Sequence, residues 1–372
     1  MTRQKQRIRV VHFHSSKGLY GPERWTYLAL RALADSEIDQ EVLTIGTKPG
    51  YGDFARFLIR HGLPAQHLAL GGKFTVQQVR AIRELLVERR VDVLHTHGFK
   101  SDILGYFATR YLPIGLVSTP HGWCDHESLR IRLYEMVGRQ FLRGFDRIYP
   151  LSEHQLEALK AYRLGTKVRC IKNAVDLGNL EGTWKERQAS PPREPMILFV
   201  GRLAREKGLI DLIEACAIVA RKRRFQVVIA GEGPAMQEAY ASATRTGVVD
   251  RITFAGFVED VRPFLRAATV LALPSYSEGL PRVVMEAFGA GVAVVGTDIP
   301  GLRELIVHGR TGLLIPVGDI QALASALETL LIDTQLNFQL AEEARDLIAR
   351  DYSPQRLAGE LRDEYTRIAV GR

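Results

Sequence analysis

The sequence predicts an α/β protein with two Rossmann-like domains, each built on a doubly wound parallel sheet. Short runs rich in β-branched residues alternate with longer helical patterns along the 372 residues, which is typical of βαβ units. The length also favours two domains, because one domain commonly holds about 100 to 200 residues. We therefore expect two sheets in succession, with helices on both faces of each.

Each half of the chain supplies one series of predicted strands. The first series covers residues 7–13, 41–45, 91–95, 115–119, 146–150 and 168–171. The second covers residues 196–200, 225–230, 252–255, 269–273, 292–296 and 312–315. The expected domains are residues 1–181 and 196–351, which face a central cleft.

Two segments outside these series are predicted separately. Residues 182–195 are polar and contain three prolines without a hydrophobic period, so we expect a linker there. Residues 352–372 begin with an amphipathic helical pattern that carries Pro354 in its first turn. We expect this helix to cross back and pack on the N-terminal domain.

Composition limits the class of protein. Hydrophobic residues make up 46% of the chain and charged residues 25%, as in ordinary soluble proteins. Its three cysteines form no CxxC pair, and no apolar run reaches the ~18 residues of a membrane span. We expect the protein to be cytoplasmic. A further hypothesis places it at the inner face of the cytoplasmic membrane.

Positive charge is concentrated in the first half of the chain. The net charge is +8, and residues 1–190 hold 29 Lys and Arg against 19 Asp and Glu. Residues 128–149 interleave five arginines with apolar side chains. Such a helix either rests on an anionic membrane surface or packs in a core with a solvated arginine face. No basic-aromatic motif for nucleic acid is present, so we expect no nucleic-acid partner.

The segment VLALPSYSEGLPRVVMEAFGAG, residues 270–291, gives the strongest local signal. It predicts a buried strand, a loop and a helix with Pro281 in its first turn. The N–H groups around Gly279, Leu280 and Pro281 would face an anion, which the helix dipole favours. The carboxylates of Glu278 and Glu286 suit hydroxyl-rich ligands.

Two further loops follow predicted strands. In FVGRLAREKG, residues 199–208, Gly201 permits a close turn, and Arg202 and Lys207 supply the cations that a diphosphate requires. In GFVED, residues 256–260, Val258 and its neighbours either hold a flat base by backbone hydrogen bonds or form a plain loop.

Taken together, these segments resemble the retaining enzymes of glycosyltransferase family 4, which have the GT-B fold. The matching pieces are GRLAREKG (201–208), AGEGP (230–234), GFVED (256–260) and EGLPRVVMEA (278–287), whose two glutamates match the E-x7-E element of that family. In the first half, STPHGW (118–123) and the glycine-containing stretch around Gly21 resemble the family more loosely. Pro22 stands where the family usually has a small residue.

The resemblance implies transfer of a sugar from a nucleotide diphosphate-sugar, UDP- or GDP-linked, to a hydroxyl acceptor with retention at the anomeric carbon. His121 would then face the donor sugar, Glu278 would bind its hydroxyls and Glu286 the ribose. The acceptor would be a sugar or a lipid-linked molecule of cell-envelope polysaccharide, lipopolysaccharide or glycolipid synthesis.

The sequence also leads us to expect no metal and no cofactor. It has no Asp-x-Asp pair, and Arg202, Lys207 and the start of the helix near residue 281 offer positive charge for the leaving group. The alternatives are a GT-B nucleotide-sugar epimerase and a catalytically silent nucleotide-sugar-binding protein. The four residues Arg202, Lys207, Glu278 and Glu286 favour catalysis over the silent protein.

Overall fold

The computed structural model describes residues 7–15, 18–19, 21–72, 74–121, 140–160, 162–189 and 194–371. The chain divides into two compact units. The first is Met1–Ala174 together with Pro354–Arg372, and the second is Val175–Ser353. Within the described ranges, no helix has both the length and the apolarity required to cross a membrane.

The first unit is built on a parallel sheet. Among the described residues it has six strands in the order β3-β2-β1-β4-β5-β6. The strands are β1 (Ile8–His14), β2 (Ile38–Ile45), β3 (Ala65–Leu68), β4 (Val93–His97), β5 (Gly115–Ser118) and β6 (Arg147–Ile148). The helices between them are α1 (Gly21–Ala32), α2 (Asp53–Arg60), α3 (Val76–Glu88) and α4 (Phe99–Thr109), and α5 (Glu153–Lys160) follows β6.

The second unit repeats this architecture. Its described residues form a parallel sheet of six strands in the order β12-β11-β10-β7-β8-β9. The strands are β7 (Met196–Val200), β8 (Gln226–Ala230), β9 (Ile252–Gly256), β10 (Val270–Leu273), β11 (Ala293–Thr297) and β12 (Leu313–Ile315). The helices are α6 (Gly178–Ala189), α7 (Leu209–Ala220), α8 (Met236–Arg245), α9 (Arg262–Ala267), α10 (Arg282–Gly289), α11 (Pro300–Arg303), α12 (Ile320–Ile332) and α13 (Thr334–Asp351).

The last helix, α14 (Pro354–Val370), belongs to the first unit. Its apolar face, with Leu361 and Tyr365, lies in one buried cluster with Trp25 and Tyr149. The buried carboxylate of Glu364 accepts hydrogen bonds from Tyr149 Oη at 3.1 Å and Arg169 Nη1 at 2.7 Å. An apolar stripe and the ion pair of the buried Glu364 with the partly exposed Arg169 thus hold the C-terminal helix on the N-terminal sheet.

Both sheets have the strand order that creates a topological switch point. In the first unit the chain moves from β1 to β2 on one side and later to β4 on the other. In the second unit it moves from β7 to β8 on one side and later to β10 on the other. Ligands of such sheets bind at the carboxyl ends of the two central strands, where the flanking loops part.

The strand series is predicted well, with two differences in the first unit. Strand β3 was not predicted, because its sequence AQHL is short, lies at the edge of the sheet and contains no β-branched residue. The strand predicted at residues 168–171 is wrong, since only Val168 makes a bridge, to Ile148 in the two-residue strand β6. Because β6 has only two residues, it offers residues 168–171 no further partner for a regular strand pairing.

The expected linker at residues 182–195 is also wrong over its first half. Residues up to Ala189 continue helix α6, and the division between the units falls after Ala174, not after residue 181. Trp184 stacks on Phe338 with ring centroids 6.1 Å apart, and Arg187 donates hydrogen bonds to backbone carbonyls, including that of Leu265 at 3.0 Å. The helix carries only two large apolar residues, Leu180 and Trp184, so its sequence shows no clear hydrophobic period.

Candidate functional site

The second unit brings two predicted site residues together at its switch point. Strands β7 and β10 are neighbours, with Ile197 opposite Val270. Lys207 follows β7 and Glu278 follows β10. Two residues 71 positions apart in the sequence therefore meet at the edge of the sheet where ligands bind.

Lys207 and Glu278 form a close ion pair. The Lys207 Nζ donates to both Glu278 carboxylate oxygens, at 2.7 Å each. Ser275 Oγ donates to Glu278 Oε1, also at 2.7 Å. The side chains are 22% exposed for Lys207 and 8% for Glu278, so the pair is shielded but reachable. A carboxylate has about four acceptor positions, and Lys207 and Ser275 occupy three of them, which leaves room for a ligand hydroxyl.

The backbone fixes the distance between the two loops. Gly208 has φ +64°, and a Cβ placed on it would lie 1.9 Å from the carbonyl oxygen of Pro274. The Tyr276 N–H donates to the Glu206 carbonyl at 2.8 Å. The loop after β7 therefore lies directly against the loop after β10, and only glycine fits at position 208.

The residues predicted at the helix start lie on the same loop as Glu278. Gly279 and Leu280 are half-buried and lead into α10, which begins at Arg282 with Pro281 as its N-cap, one residue later than predicted. Proline has no side-chain oxygen, so no side chain caps the first turn of α10. The Val284 N–H donates to the Pro281 carbonyl at 3.2 Å, and the N–H groups before it point along the helix axis toward the loop. A Cβ on Gly301 would lie 2.0 Å from the Gly279 carbonyl oxygen, which shows how closely α11 supports this loop.

Glu286 lies one turn into α10 and faces a cation of its own helix. Its Oε1 is 3.4 Å from Arg282 Nη2, with side-chain exposures of 14% and 21%. Glu278 and Glu286 thus occupy the loop and the helix of one strand-loop-helix unit, as the sequence predicts.

The other predicted residues of this unit are Gly201, Arg202 and Val258, which lie on loops after β7 and β9. Gly201 directly follows β7 and donates its N–H to the Ala230 carbonyl at 3.0 Å, while Arg202 beside it is exposed. Val258 is half-buried after β9, which β8 separates from β7. Sequence reasoning missed the role of Ser275, although the serine is in the predicted loop.

Two predicted residues, Gly21 and His121, belong to the first unit. Gly21 is the first residue of α1 and is half-buried. His121 follows β5, and its Nε2 lies 2.9 Å from His97 Nδ1. The remaining residues of the predicted HGW segment, and most of the arginine-rich segment 128–149, lie outside the described residues.

Sequence reasoning missed a cluster of buried histidines beside His121. In adjacent strands His12 pairs with His95 and His14 with His97, all less than 4% exposed. Burial lowers the pKa of all four, that of His12 to about 3. Each strand carries an H-x-H pattern, and the strand order of a doubly wound sheet, with β1 beside β4, would have aligned the two patterns.

Three of these histidines could hold a metal ion by their spacing. Ring nitrogens of His12, His95 and His97 lie within 4.8 Å of one another. Each of the three rings, however, has a hydrogen-bond partner for both nitrogens. His12 contacts His97 and Gln40, His95 contacts Tyr365 and Thr119, and His97 contacts His12 and His121. Hydrogen bonding therefore accounts for this donor set without a metal ion.

Two family models match the chain along most of its length. The model described as Glycosyltransferase Family 4 matches residues 19–179. The model described as Glycosyl transferases group 1 matches residues 181–347. The division between the models lies close to the division between the two units of the structure.

Curated relatives cover the chain to different extents. The lipopolysaccharide core biosynthesis glycosyltransferase LpsE of Rhizobium meliloti is 31% identical over 187 residues, 50% of this chain and 54% of that protein. The alpha-D-kanosaminyltransferase of Streptomyces kanamyceticus is 33% identical over 58% of this chain and 56% of its own length. The chain thus matches about half the length of these two relatives. An Escherichia coli UDP-Gal:alpha-D-GlcNAc-diphosphoundecaprenol alpha-1,3-galactosyltransferase is 26% identical over 78% of this chain and 79% of its own.

Solved structures have the same fold. HepE from Anabaena, in complex with UDP, has a TM-score of 0.82 at 21% identity, covering 96% of this chain and 100% of that one. Sucrose-phosphate synthase from Thermosynechococcus elongatus has a TM-score of 0.82 at 20% identity, covering 98% and 100%. The two family models, which together match residues 19–179 and 181–347, and the shared fold show that the chain belongs to the group 1 glycosyl transferases of glycosyltransferase family 4 and has the GT-B fold.

Proposed function

We propose that this protein transfers a sugar from a nucleoside diphosphate-sugar to a hydroxyl acceptor, with retention at the anomeric carbon and without a metal ion. The observation that carries the proposal is the Lys207–Glu278 pair at the switch point of the second unit. It combines a cation for a diphosphate with a carboxylate for sugar hydroxyls in one shielded place. The acceptor belongs to lipopolysaccharide or polysaccharide synthesis, as the names of several relatives suggest.

The second unit holds the donor in this proposal. The diphosphate lies against Lys207, Arg202 and the N-terminal end of α10, where positive charge opposes the charge that grows on the leaving group. Glu278 accepts a hydrogen bond from the donor sugar, Glu286 binds the ribose, and Val258 lies on the loop assigned to the base. UDP-sugars are the first donors to test, because UDP occurs in the HepE complex and in the name of the Escherichia coli relative.

No carboxylate of the described residues is assigned as a nucleophile beneath the sugar, so we infer that the acceptor attacks from the same face from which the leaving group departs. The departing phosphate oxygen then accepts the proton of the acceptor hydroxyl, and no group of the protein becomes covalently attached to the sugar. His121 is assigned to the donor sugar on the family resemblance alone. This route differs from that of retaining glycosidases, which use a carboxylate nucleophile about 5 Å from the acid.

A thermal-shift panel of UDP-, GDP- and ADP-sugars tests the donor class. Binding to the native state raises the melting temperature, since it stabilises by RT ln(1 + [L]/Kd). The expected result is a shift with one class, lost in Lys207→Met and kept in Arg205→Ala, whose side chain is exposed on the same loop. No shift with any of the three classes would contradict the proposal.

Product analysis tests the reaction itself. Incubation of the bound donor with lipid-linked or soluble saccharide acceptors should give a glycoside with the same anomeric configuration as the donor, read from the anomeric proton coupling. Activity should persist after treatment with a chelator. An inverted product would contradict retention, and epimerisation of the nucleotide-sugar without transfer would favour the epimerase alternative.

Membrane contact is a separate part of the proposal. The basic N-terminal half and lipid-linked acceptors in related systems support peripheral binding to anionic lipid at the inner face of the cytoplasmic membrane. Sedimentation with vesicles that contain anionic lipid at low salt should carry the protein down, and neutral vesicles should not. If equal amounts of the protein stayed in the supernatant with anionic and with neutral vesicles, the proposed membrane contact would be contradicted.

A further inference from the structure

Three aromatic side chains on α4 and beside it reach the surface of the first unit. Phe107 of α4 is 40% exposed, and Tyr111, just after α4, is 86% exposed. The partly exposed Phe141 has its ring centroid 5.7 Å from that of Phe107 and 5.4 Å from that of Tyr106. Tyr106 in turn fills the space beside Gly144, where a Cβ would lie 2.2 Å from its ring. Phe107 and Phe141 are therefore held by ring contacts while part of each remains exposed.

Tyr111 occupies a backbone position that glycine or asparagine usually fills. Its φ is +68°, and Arg110 before it has φ −54° and ψ 126°. The Leu112 N–H donates to the Thr109 carbonyl at 2.8 Å, as in a type II turn with Tyr111 at its third position. A bulky side chain is strained there, and the exposed ring gains little packing in return. An exposed aromatic ring at a strained position indicates a role outside the fold.

The cations beside these rings have no acidic partners. Arg110 and Arg143 are exposed, and the Arg110 guanidinium carbon lies 5.0 Å from the centroid of the neighbouring tyrosine ring. Arg83 Nε donates to the Ala108 carbonyl at 3.0 Å. Lys167 Nζ donates to the Arg143 carbonyl at 2.8 Å. Within the described ranges, none of these four cations forms an ion pair with a carboxylate, so their positive charge is not neutralised locally.

Phe141 and Arg143 belong to the arginine-rich segment 128–149, for which the sequence allows two interpretations. In the described part of that segment, Leu142 is 2% exposed and Phe145 is fully buried, while Arg143 is exposed. The apolar residues of this part therefore pack in the core, and its arginine remains at the surface beside the aromatic rings.

We propose that the residues Phe107, Arg110, Tyr111, Phe141 and Arg143, here called the aromatic-arginine surface, dock the first unit on an anionic lipid bilayer. Aromatic rings favour the level of the lipid headgroups, where one edge is apolar and the other wet. Arginine stems lie along apolar surface while their charged ends reach the lipid phosphates. Each basic residue near an anionic membrane strengthens binding about fivefold. This docking rests on the membrane contact in the proposed function but not on sugar transfer.

Helix α2 offers a matched control on the opposite face of the same sheet. It packs in one cluster with Val42, whereas α4 packs in the cluster of Leu43, the next residue of β2. Because neighbouring residues of a strand point to opposite faces, the two helices lie on opposite sides of the sheet. The exposed residues of α2 include Arg56, Ile59 and Arg60, which match two arginines and one apolar side chain of the aromatic-arginine surface.

Vesicle sedimentation at low salt compares the two faces. Arg110→Gln combined with Arg143→Gln removes two positive charges and should weaken binding to anionic vesicles about 25-fold. Arg56→Gln combined with Arg60→Gln removes the same charge from α2 and should weaken binding less than about threefold, because only the long-range attraction changes. Circular dichroism should show the wild-type fold in both double variants.

Substitution of Tyr111 separates docking from stability. Tyr111→Gly relieves the positive φ, so it should keep or raise the melting temperature. The same variant should weaken vesicle binding about fivefold, the effect of leaving about 40 Å² of apolar ring in water. Tyr111→Phe keeps the ring and should bind as the wild type does. A ring with a purely structural role would give the opposite result, a lower melting temperature with unchanged binding.

Tryptophan fluorescence locates the contact directly. In a difference spectrum against the wild type, the emission of Tyr111→Trp should shift to the blue with anionic vesicles and be quenched by brominated lipid. Ile59→Trp places the same probe on α2, at a residue that is 58% exposed, and should show neither effect.

The possible failures are distinguishable. Wild-type protein that stays in the supernatant with anionic vesicles would overturn both the membrane contact and the aromatic-arginine surface. Equal losses in the two arginine pairs, or an unquenched Tyr111→Trp, would overturn the surface alone. Binding to a single-stranded oligonucleotide that requires Arg110 and Arg143, without binding to vesicles, would overturn the bilayer as the partner. Absence of sugar transfer would refute the proposed reaction instead, and the vesicle results would still decide the surface.

Discussion

Lys207 Nζ lies 2.7 Å from both carboxylate oxygens of Glu278, so a cation and an anion from two loops are paired before any ligand binds. The geometry is already set by Ser275 and by the contact of Gly208 with Pro274. A site organised in advance loses little free energy to rearrangement when charge develops in it. Removing either partner leaves the other partly buried without its counter-charge.

The Lys207→Met variant should lower kcat by about 100-fold or more, as expected when one preorganised charged donor is removed. Glu278→Gln, which keeps the shape of the side chain but weakens its pairing with Lys207, should also lower kcat strongly. Steady-state rates with the bound donor measure both. Far-UV circular dichroism should show that both variants keep the wild-type fold.

The same loop provides a matched control for Lys207. Arg205 pairs with Glu238 at 3.3 Å, and its side chain is 86% exposed. Arg205→Ala should therefore keep the wild-type rate, because an exposed pair contributes little. Equal losses in Arg205→Ala and Lys207→Met would indicate a general effect of charge, and the assignment of Lys207 to the site would be wrong.

Gly208→Ala should damage both stability and donor binding. The substitution puts a Cβ 1.9 Å from the Pro274 carbonyl oxygen, at a φ of +64° that costs about 1–2 kcal/mol for a non-glycine residue. The backbone must move as well, so we expect a total loss of at least about 3 kcal/mol, together with displacement of Lys207 from Glu278. Chemical denaturation and the thermal shift with donor measure the two effects.

Gly247→Ala separates the strain of a positive φ from the contact. Gly247 has φ +74°, and a Cβ built on it meets no atom within 4 Å. This variant should lose only about 1–2 kcal/mol and bind donor as the wild type does. If both glycine variants behaved alike, the approach of the two loops at Gly208 would not matter for the site.

The strands of the second unit could be predicted because they are apolar in sequence and buried in the sheet. MILFV and VLAL read as strands whatever surrounds them. Helix α6 could not, because its stabilising contacts are made by Trp184 and Arg187 with distant parts of the second unit. Strand β3 depends in the same way on its neighbour β2, with which it pairs at the edge. Tertiary contacts decide such segments, and a local pattern does not contain them.

The candidate site could be predicted as a set of residues but not as a set of contacts. Motifs of the second half identified Lys207 and Glu278, yet nothing in the sequence showed that they pair with each other or that Ser275 completes the pair. The histidines of β1 and β4 were visible as two separate H-x-H patterns. Their alignment follows only from strand order and register, which place His14 opposite His97.

Glu364 should contribute substantially to the stability of the first unit. Its carboxylate is buried, while its partners Arg147 and Arg169 are 29% and 46% exposed. Glu364→Ala should cost about 2–3 kcal/mol, less than for a fully buried pair, because the arginines regain water. Asp363→Ala, one position earlier on α14 with an exposed side chain, should cost less than about 0.5 kcal/mol. Denaturation followed by tryptophan fluorescence compares the variants, and equal midpoints would contradict the role of Glu364.

Asp102 should oppose acid unfolding, in contrast to the buried histidines of β1 and β4. Burial raises the pKa of Asp102 to about 7, against hydrogen bonds from Thr96 and from Ser118 at 2.9 Å. Between pH 4 and 7 the native state holds this proton and the unfolded state does not, so the contribution of Asp102 to stability falls as the pH rises. Replacing it with Asn should make the loss of stability on acidification steeper.

His12→Asn should make that loss shallower. Burial lowers the pKa of His12 from 6.5 to about 3, so between those values the unfolded state binds a proton that the native state does not. The contribution of His12 to stability is therefore constant above about pH 6.5 and falls on acidification by about 1.4 kcal/mol per pH unit. His14, His95 and His97 have pKa shifts in the same direction and should keep part of the slope in the variant. Denaturation curves at half-unit steps from pH 7 to 5 measure the slopes. A slope in His12→Asn equal to or steeper than that of the wild type would show that His12 is charged in the native state.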